Sequence, residues 1–440
     1  MVLTRDTICA LASGPPPAAI CVLRVSGPAV SEVISKCLSE QTLEDRRATL
    51  VDVNAPNGLL IDSGLAIFMA GPRSYTGEDT LELFLHGGRV ITEMVLQTLI
   101  ASGARLAEPG EFTRRAFESG KLDLTQAEAV ADLIDAESEA QLRQALTQMG
   151  GALARLYSHW RAQLTSILAL LEASIDFPDE EDAPDRVDSP VLDQLSILET
   201  ALREALKDGN ITERIRDGFK IAILGEPNAG KSTLLNQLAK REAAIVTDIP
   251  GTTRDIVEVR RVLGGQLVWI ADTAGLRETA DPIEAEGVRR ARQAGAESDL
   301  RIWVYDADAS DAPTEVRPGD IVVANKADLL PTGNVSRETL AVSAKTGAGV
   351  AELETLISDR LAEKTERVSA PMITRARHRQ GIEKALHHLA AARAQVENGR
   401  GAEFAAEDVR LAARALGTLT GHIDSESVLG AVFSSFCIGK

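Results

Sequence analysis

The sequence predicts a multidomain protein of mixed α+β and α/β class: an N-terminal α+β domain, a discontinuous helical domain, and an α/β domain inserted into the helical one. Three observations predict it. Short β-rich runs with many Gly and Pro occupy residues 1–118. Strand-like runs return only in residues 218–362, and long helical periodicity flanks them on both sides. Domain insertion is tolerated where the ends of the inserted domain lie close together. The predicted domains are residues 1–118, 119–217, 218–362 and 363–440, the second and fourth forming the helical domain.

The composition is that of a globular protein whose surface is not built to coat nucleic acid. Of 440 residues, 44% are hydrophobic and 25% charged, and the formal net charge is −18. Affinity for a phosphate backbone needs many Lys and Arg facing it. Any contact with RNA is therefore expected to be local or shared with a partner.

The location of the protein is predicted from what its termini and cysteines lack. Cys9, Cys21, Cys37 and Cys437 show no spacing typical of a zinc site or a disulfide framework. The first residues have no apolar core of a signal peptide, and no uncharged run approaches the roughly 20 residues of a membrane helix. We expect a cytoplasmic protein with no membrane partner.

Local patterns predict the elements of the two outer regions. Residues 19–25, 65–68 and 81–85 have the composition of strands, and residues 90–101 have helical spacing. Thr125 and Glu128 have the spacing of a capping box. Apolar residues then recur at three and four through residues 146–171, with a break at Gly150 and Gly151. The acidic stretch 176–190 predicts a loop, helix continues to about 215, and helical periodicity returns over 374–419.

The middle region carries a phosphate-binding loop between a strand and a helix. The apolar run 220–224 is followed by GEPNAGKST at residues 225–233. Glycines in such a loop let backbone N–H groups surround phosphates at a helix N-terminus. Lys231 is predicted to place its charge on the β and γ phosphates, and the Ser232 hydroxyl to bind Mg²⁺. The predicted nucleotide contacts of this loop are Asn228, Ala229, Gly230, Lys231, Ser232 and Thr233.

Two further segments are predicted to sense the γ-phosphate. Gly264 and Gly265 turn the run 267–271 back on 256–263 as a hairpin, and Asp272 follows it, placed to hold the metal through a water. Earlier in the chain, the Thr253 hydroxyl is predicted to complete the Mg²⁺ shell. The predicted contacts of these segments are Thr247, Asp248, Ile249, Pro250, Gly251, Thr252, Thr253, Asp272, Thr273, Ala274 and Gly275.

Guanine selection is predicted from the sequence NKAD at residues 325–328. A carboxylate at Asp328 can accept both N1–H and N2–H of guanine, whereas adenine offers neither donor there. A short strand precedes residues 343–345, which are placed to support the base from the other side. Together these elements predict a Ras-like P-loop G domain that hydrolyses GTP. The predicted base contacts are Asn325, Lys326, Asp328, Ser343, Ala344 and Lys345.

The chain lacks the glutamine with which many switch GTPases orient the attacking water, because Leu276 occupies that position. Negative charge that develops between the β and γ phosphates then needs a counter-charge, from an arginine finger or a bound monovalent cation. Asn228 is an oxygen donor placed to hold such a cation. Glu284 is either a carboxylate that orients water through a second water or an ordinary solvated residue of a helix.

The sequence resembles the MnmE/TrmE family of tRNA-modification GTPases over its whole length. Segments outside the G domain carry the resemblance, and few other GTPases share them. The matching segments are SYTGEDTLEL at 74–83, PGEFT at 109–113, KLDLTQAEA at 121–129, DFP at 176–178, DTAGLRE at 272–278 and FCIGK at 436–440.

The resemblance implies a homodimer formed through the N-terminal domains, which bind 5-formyl- or methylene-tetrahydrofolate as a one-carbon donor. Cations suit the anionic glutamate tail of a folate, and a carboxylate suits its guanine-like pterin. The residues that match the family's folate contacts are Arg24, Glu82, Lys121 and Lys440.

The family is also known for hydrolysis stimulated by K⁺, with G domains that meet across the dimer. Glu284 matches the glutamate that orients water, so Glu284 and Lys231 are the predicted catalytic residues. The residues that match the K⁺ ligands are Asn228, Thr247, Ile249 and Thr252.

An FAD- and NADH-dependent partner of the MnmG (GidA) type completes what the resemblance implies. In a heterotetramer with it, the family installs an aminomethyl or carboxymethylaminomethyl group at C5 of the wobble uridine U34 of certain tRNAs. A shared tRNA site would explain how so acidic a chain handles tRNA. One departure concerns residues 13–21, SGPPPAAIC, where the family usually has a glycine-rich stretch. Prolines cannot supply the same backbone donors or φ values, so the local geometry of the folate pocket is expected to differ.

Two other classes of protein share a G domain of this kind. A ribosome-assembly GTPase that acts as a checkpoint would need a basic RNA-binding module, which the composition does not provide. A switch that uses GTP only to dock partners would show negligible turnover even with K⁺.

Overall fold

The computed structural model describes residues 6–39, 42–176, 188–240, 257–272, 295–308, 313–329, 339–366, 373–399, 401–421, 426–434 and 436–439. The chain forms two compact units. The first consists of Met1–Ala131, Ala154–Leu168 and Val409–Lys440, and the second of Asp132–Leu153 and Ala169–Asp408. The domain limits at residues 118, 217 and 362 stay predictions.

A mixed sheet forms the centre of the first unit. Its strand order is β3-β4-β5-β2-β1-β6, and every neighbouring pair is antiparallel except β1 and β6. The predicted strands at 19–25, 65–68 and 81–85 are confirmed, since they lie within β2, β4 and β5. The strands are β1 (Thr7–Leu11), β2 (Ala18–Ser26), β3 (Ala48–Asn54), β4 (Leu60–Met69), β5 (Thr80–Gly87) and β6 (Ala104–Leu106).

The two faces of this sheet are buried differently. On one face, Leu23 and Val25 of β2 pack with Val95 and other apolar residues of the helices α1 (Val30–Cys37) and α2 (Arg89–Ala101). Residue 24 lies between them in β2, and successive side chains of a strand point to opposite faces. The other face carries a small cluster in which Phe112, on helix α3 (Glu111–Glu118), packs with Ile8.

The second helix after this sheet, α4 (Leu124–Asp135), begins differently from the prediction. The capping box expected at Thr125 and Glu128 is wrong. Asp123 Oδ1 instead accepts hydrogen bonds from the backbone N–H of Thr125 at 2.8 Å and of Gln126 at 3.0 Å. Gln126 Oε1 accepts the N–H of Asp123 at 3.0 Å, so a reciprocal box forms two residues earlier. Asp123 forms the cap because its carboxylate is a better acceptor of N–H groups at a helix N-terminus than the Thr125 hydroxyl.

Glycines divide the remaining helices. The predicted break at Gly150 and Gly151 is confirmed, and the periodic stretch 374–419 is two helices separated around Gly399 and Gly401, both at positive φ. Of the loop predicted for 176–190, residues 177–187 lie outside the described part of the chain, and both ends of the prediction are helical. Asp176 ends α6, and Pro190 lies in the first turn of α7, where its missing N–H has no intrahelical partner. The helices are α5 (Glu139–Met149), α6 (Ala152–Asp176), α7 (Asp188–Asp217), α10 (Ala376–Glu397), α11 (Ala402–Gly417) and α12 (Glu426–Ser434), with α8 and α9 given next.

A second sheet lies in the second unit, in the order β12-β11-β10-β7-β9-β8. Only β8, which forms the predicted hairpin with β9, runs antiparallel to its neighbour among the described strands. The fold class is thereby confirmed as α+β and α/β with an inserted G-type domain. The elements are β7 (Phe219–Leu224), α8 (Lys231–Lys240), β8 (Val257–Leu263), β9 (Gln266–Asp272), β10 (Leu300–Asp306), β11 (Ile321–Asn325), β12 (Leu340–Ala341) and α9 (Val350–Thr365).

The parallel strands of this sheet place their polar ends together. Ligands of open α/β sheets bind outside the carboxyl ends of the strands. The phosphate loop follows β7, Asp306 ends β10 and Asn325 ends β11. In the parallel register Asp306 lies opposite Asn325, so these strand ends form one edge.

Candidate guanine-nucleotide site

The phosphate loop is shaped by two close backbone approaches. Gly225 has φ +143°, and a Cβ there would lie 1.9 Å from the Val304 carbonyl oxygen. Gly230 has φ +89°, and its Cβ would lie 2.2 Å from Asn325 Nδ2. Any larger residue would therefore push the loop away from β10 and β11. The loop geometry fits a cradle in which backbone N–H groups face an anion.

Lys231 begins α8 and is only 6% exposed. Its Nζ donates to the carbonyl oxygens of Gly225 at 2.9 Å and Glu226 at 2.7 Å. The loop thus holds a buried positive charge beside the helix N-terminus, which fits the charge of a triphosphate. The neighbouring Ser232 is exposed in the same helical turn, as a metal ligand at this position must be.

Asn325 joins the phosphate loop to the segment 343–345 of the candidate site. It is 2% exposed, and its Nδ2 donates to the Ala229 carbonyl oxygen at 2.8 Å. Its Oδ1 accepts the N–H of Ala344 at 3.0 Å. The asparagine therefore clamps the phosphate loop to the segment 343–345, a role that the sequence motif alone did not reveal.

The Asp328 carboxylate is oriented by a hydrogen bond from Ser343. It is exposed, and its Oδ1 accepts a hydrogen bond from Ser343 Oγ at 2.6 Å. That bond lowers the pKa of the Asp328 carboxyl below its ordinary value, so the carboxylate stays ionised. An ionised carboxylate of this kind can accept the N1–H and N2–H donors of guanine.

Asp306 is a residue of this edge that sequence analysis missed. Lys326 adopts φ 61° and its Nζ donates to Asp306 Oδ2 at 2.5 Å. The hydrogen bond from Lys326 lowers the pKa of Asp306. Its position at the end of a parallel strand was the available signal, because such ends meet at one edge of the sheet.

Several predicted nucleotide, magnesium and potassium contacts lie outside the described residues. Asp272 is the last residue of β9, where it pairs with Val257 of β8. The predictions outside the described part of the chain are Thr247, Asp248, Ile249, Pro250, Gly251, Thr252, Thr253, Thr273, Ala274, Gly275, Glu284 and, among the folate contacts, Lys440.

A second cluster of charged and aromatic side chains lies in the first unit. Arg24 and Glu82 stand opposite each other in the β2–β5 register, and Arg24 Nε donates to Glu82 Oε1 at 2.8 Å. The guanidinium lies 5.6 Å from the ring centres of both Tyr75 and Phe112. Sequence analysis missed the two rings, although both belong to the segments that carried the family resemblance.

Glycine packing shows the surroundings of Lys121 and of Gly439, the residue before the predicted folate contact Lys440. Lys121 Cε lies 3.9 Å from the position of a Cβ built on Gly77. A Cβ on Gly439 would lie 2.1 Å from the Leu11 carbonyl oxygen, so the C-terminal segment packs against the end of β1. The structure thus pairs Arg24 with Glu82 and puts the residue before Lys440 next to the sheet.

Comparison with known families assigns the chain. A model described as the GTP-binding protein TrmE N-terminus matches residues 7–121, and one described as the MnmE helical domain matches residues 124–437. The chain belongs to the MnmE family. The family prediction made from the sequence is confirmed, and with it the predicted class of enzyme, a GTP hydrolase.

Relatives in the MnmE family match the chain from end to end. The tRNA modification GTPase MnmE of Hyphomonas neptunium is 56% identical over 99% of both chains. That of Phenylobacterium zucineum is 49% identical over 99% of this chain and all of its own. Among solved structures, the G domain of the T. maritima FeoB iron transporter covers 32% of this chain and 98% of its own, at 22% identity and a TM-score of 0.24. A TM-score this low carries no weight for the fold, which rests on the sheet order.

Among the helices within the described ranges of this MnmE-family chain, none combines the length and the apolar character that a membrane crossing requires.

Proposed function

We propose that this protein is a K⁺-stimulated GTPase that acts with an FAD- and NADH-dependent partner. The reaction installs an aminomethyl or carboxymethylaminomethyl group at C5 of U34 in certain tRNAs, with a tetrahydrofolate derivative as the one-carbon donor. One observation carries the proposal: a chain that belongs to the MnmE family from end to end pairs Arg24 with Glu82 beside two aromatic rings in its N-terminal sheet.

The nucleotide residues divide the work of binding and charge stabilisation. Lys231 neutralises charge on the β and γ phosphates, and Asp328 selects guanine. Ser232 and Thr253 would hold Mg²⁺, with Asp272 acting through a water, and the ion would supply further neutralisation of the phosphates. The buried Lys231 and the ionised Asp328 support these roles.

A monovalent cation is proposed as the counter-charge that an arginine finger would otherwise supply. Asn228 is one of its proposed ligands and has a left-handed φ of 62°, which is uncommon for a residue other than glycine. Strained backbone of this kind persists at functional sites. The remaining proposed ligands are Thr247, Ile249 and Thr252.

Replacing Glu284 by alanine tests the hydrolytic mechanism. In K⁺, we expect turnover to fall by about 10²-fold or more, the usual contribution of a positioned proton acceptor, while GTP affinity stays unchanged. The wild type should lose much of its rate when Na⁺ replaces K⁺. Steady-state GTP hydrolysis in each salt measures both effects, with Glu352→Ala, an exposed glutamate of α9, as the control. Equal rates for all proteins in both salts would contradict the mechanism.

The N-terminal cluster is proposed as the folate site. Arg24, Lys121 and Lys440 suit the anionic tail of the ligand, and Glu82 suits the donors of its pterin. The Arg24 and Glu82 side chains are 21% and 18% exposed, so a ligand can reach both. Because they now pair with each other, a folate must replace that ion pair with bonds of its own.

Replacing Arg24 by methionine is expected to weaken binding of 5-formyl-tetrahydrofolate by about 10- to 100-fold. A hydrogen bond to a charged group contributes about 1.5–3 kcal/mol, and methionine keeps most of the side-chain volume. Calorimetric titration measures the loss. Arg89→Met, at an exposed cation of the same unit, should bind the folate like the wild type. Both variants should hydrolyse GTP at the wild-type rate. Unchanged folate affinity in Arg24→Met would exclude this site.

A homodimer and a joint tRNA site complete the proposal. Leu50 and Leu65 stand opposite each other in the β3–β4 register and are 72% and 44% exposed. Contiguous exposed apolar residues of this kind mark interaction surfaces, and a second copy is the simplest partner. With a net charge of −18, the chain needs the MnmG-type partner of the heterotetramer to share the tRNA. This assembly would work in the cytoplasm.

A further inference from the structure

The β8–β9 hairpin connects two segments that are predicted to sense the γ-phosphate. In the sequence, β8 follows the segment that contains Thr253, and β9 ends just before Thr273. The strands pair from Val257 opposite Asp272 to Leu263 opposite Gln266. A change at either segment is therefore applied to one end of a continuous two-stranded ribbon.

The turn of this hairpin contacts the N-terminus of α5. The N–H of Ala140 donates to the Gly265 carbonyl oxygen at 3.1 Å. Ser138 caps α5, and Gln141 completes a capping box with it. The first N–H groups of a helix have no partner inside it, so the hairpin carbonyl satisfies one that the capping box leaves over. The turn is thus part of the cap of α5.

A second contact joins the middle of the hairpin to the same helices. Arg260 Nη1 lies 2.9 Å from Glu137 Oε1, just before α5. The Arg260 guanidinium also lies 5.0 Å from the ring centre of Trp269 on the paired strand. Trp269 Nε1 donates to the carbonyl oxygen of Asp217, the last residue of α7, at 2.8 Å. Both strands therefore contribute to one cluster that reaches α5 and α7.

The two helices are themselves tied together. Gln141 Nε2 donates to the Arg216 carbonyl oxygen at 2.7 Å, and Gln144 Nε2 donates to that of Thr212 at 2.9 Å. Gln141 and Gln144 are 8% and 5% exposed, so water competes little for these bonds. A displacement of the hairpin would act on α5 and α7 as a pair.

We propose that the β8–β9 hairpin transmits the nucleotide state to α5 and α7 through the Arg260–Glu137 ion pair and the bond between Gly265 and Ala140. The inference rests on the proposed function, since the segments around Thr253 and Gly275 must respond to the γ-phosphate. Arg260 and Glu137 are positioning residues here, and neither belongs to the nucleotide cradle. A nucleotide can shift a conformation only through contacts that differ between the GTP-bound and GDP-bound protein. The Arg260–Glu137 and Gly265–Ala140 contacts lie on the hairpin between the two segments where such a difference would arise.

Hydrogen exchange of the full-length protein tests the inference, with GDP compared against a non-hydrolysable GTP analogue in K⁺ and Mg²⁺. We expect amide exchange in residues 139–145 to differ by about fivefold or more between the two states, the lower end of typical allosteric couplings. Glu137→Gln or Arg260→Met should reduce that difference to less than about twofold, by the same linkage. The charge exchange of Glu137→Arg with Arg260→Glu should restore it. Glu363→Gln, which breaks an exposed ion pair with Arg360 on α9, is the matched control and should leave the difference intact.

Amide exchange in the phosphate loop distinguishes failure of the proposed function from failure of the coupling. Absence of protection in residues 225–233 with either nucleotide would contradict the proposed function itself. Protection there, with identical exchange of residues 139–145 in both states, would overturn the coupling alone. Variants that lose α5 protection equally in both states would assign the contacts a purely structural role and would also overturn it.

Discussion

Replacing Lys231 by alanine is expected to lower the turnover of GTP by about 10³-fold, or about 4 kcal/mol in activation free energy. The Nζ of Lys231 is held by the carbonyl oxygens of Gly225 and Glu226, so its charge is fixed before the nucleotide arrives. A preorganised charge of this kind acts on the negative charge that develops on the transferred phosphoryl group. Single-turnover hydrolysis at saturating GTP measures the chemical step separately from binding.

Two companion variants show whether the position or only the charge matters. Lys231→Arg keeps the charge, but the guanidinium is larger and its donors have a different geometry, so we expect a loss close to that of the alanine variant. Lys220→Ala removes an exposed lysine of β7 and should hydrolyse GTP like the wild type. Near-normal turnover in Lys231→Ala would show that the loop does not bind the phosphates as inferred.

Replacing Asp328 by asparagine is expected to exchange the base preference of the site. The amide would present an N–H donor toward the N2–H donor of guanine, and GTP affinity should fall by about 10⁴-fold, as for sites that leave a substrate N–H without its acceptor. Xanthine has a carbonyl oxygen at that position, which the amide can pair with. Ser343 Oγ can still donate to the side-chain oxygen, so the local structure is retained.

Competition with a fluorescent guanine nucleotide measures this exchange. Asp359→Asn makes the same chemical change at an exposed carboxylate of α9 and should keep the wild-type preference. If Asp328→Asn still prefers guanosine to xanthosine triphosphate, the residue does not contact the base.

The order of the nucleotide motifs was readable from the chain because each motif is local. A phosphate loop needs its glycines, lysine and serine within a few consecutive residues, and a strand and a helix must flank them. The hairpin turn at Gly264 and Gly265 is likewise a local signal and is confirmed. The start of α4 shows the limit of local reading, since two capping patterns overlap there and the stronger acceptor, Asp123, forms the cap.

Contacts between distant residues could not be read in this way. Asn325 belongs to the base motif, yet its side chain bonds to Ala229, 96 residues away. Arg24 and Glu82 are 58 residues apart, and the sequence alone did not place the Tyr75 and Phe112 rings beside them. Such partners depend on which strands pair and in which register.

From its residues alone, the chain therefore reveals its family and its fold class, and it predicts the chemistry of a triphosphate and guanine site. Those features need particular residue types at short spacing. How the pieces act on each other is a property of the folded chain: Asn325 as a clamp, Arg24 paired beneath two rings, and a hairpin that caps α5. Each of these bonds joins segments that meet only once the sheets and helices have packed, and no local pattern carries that information.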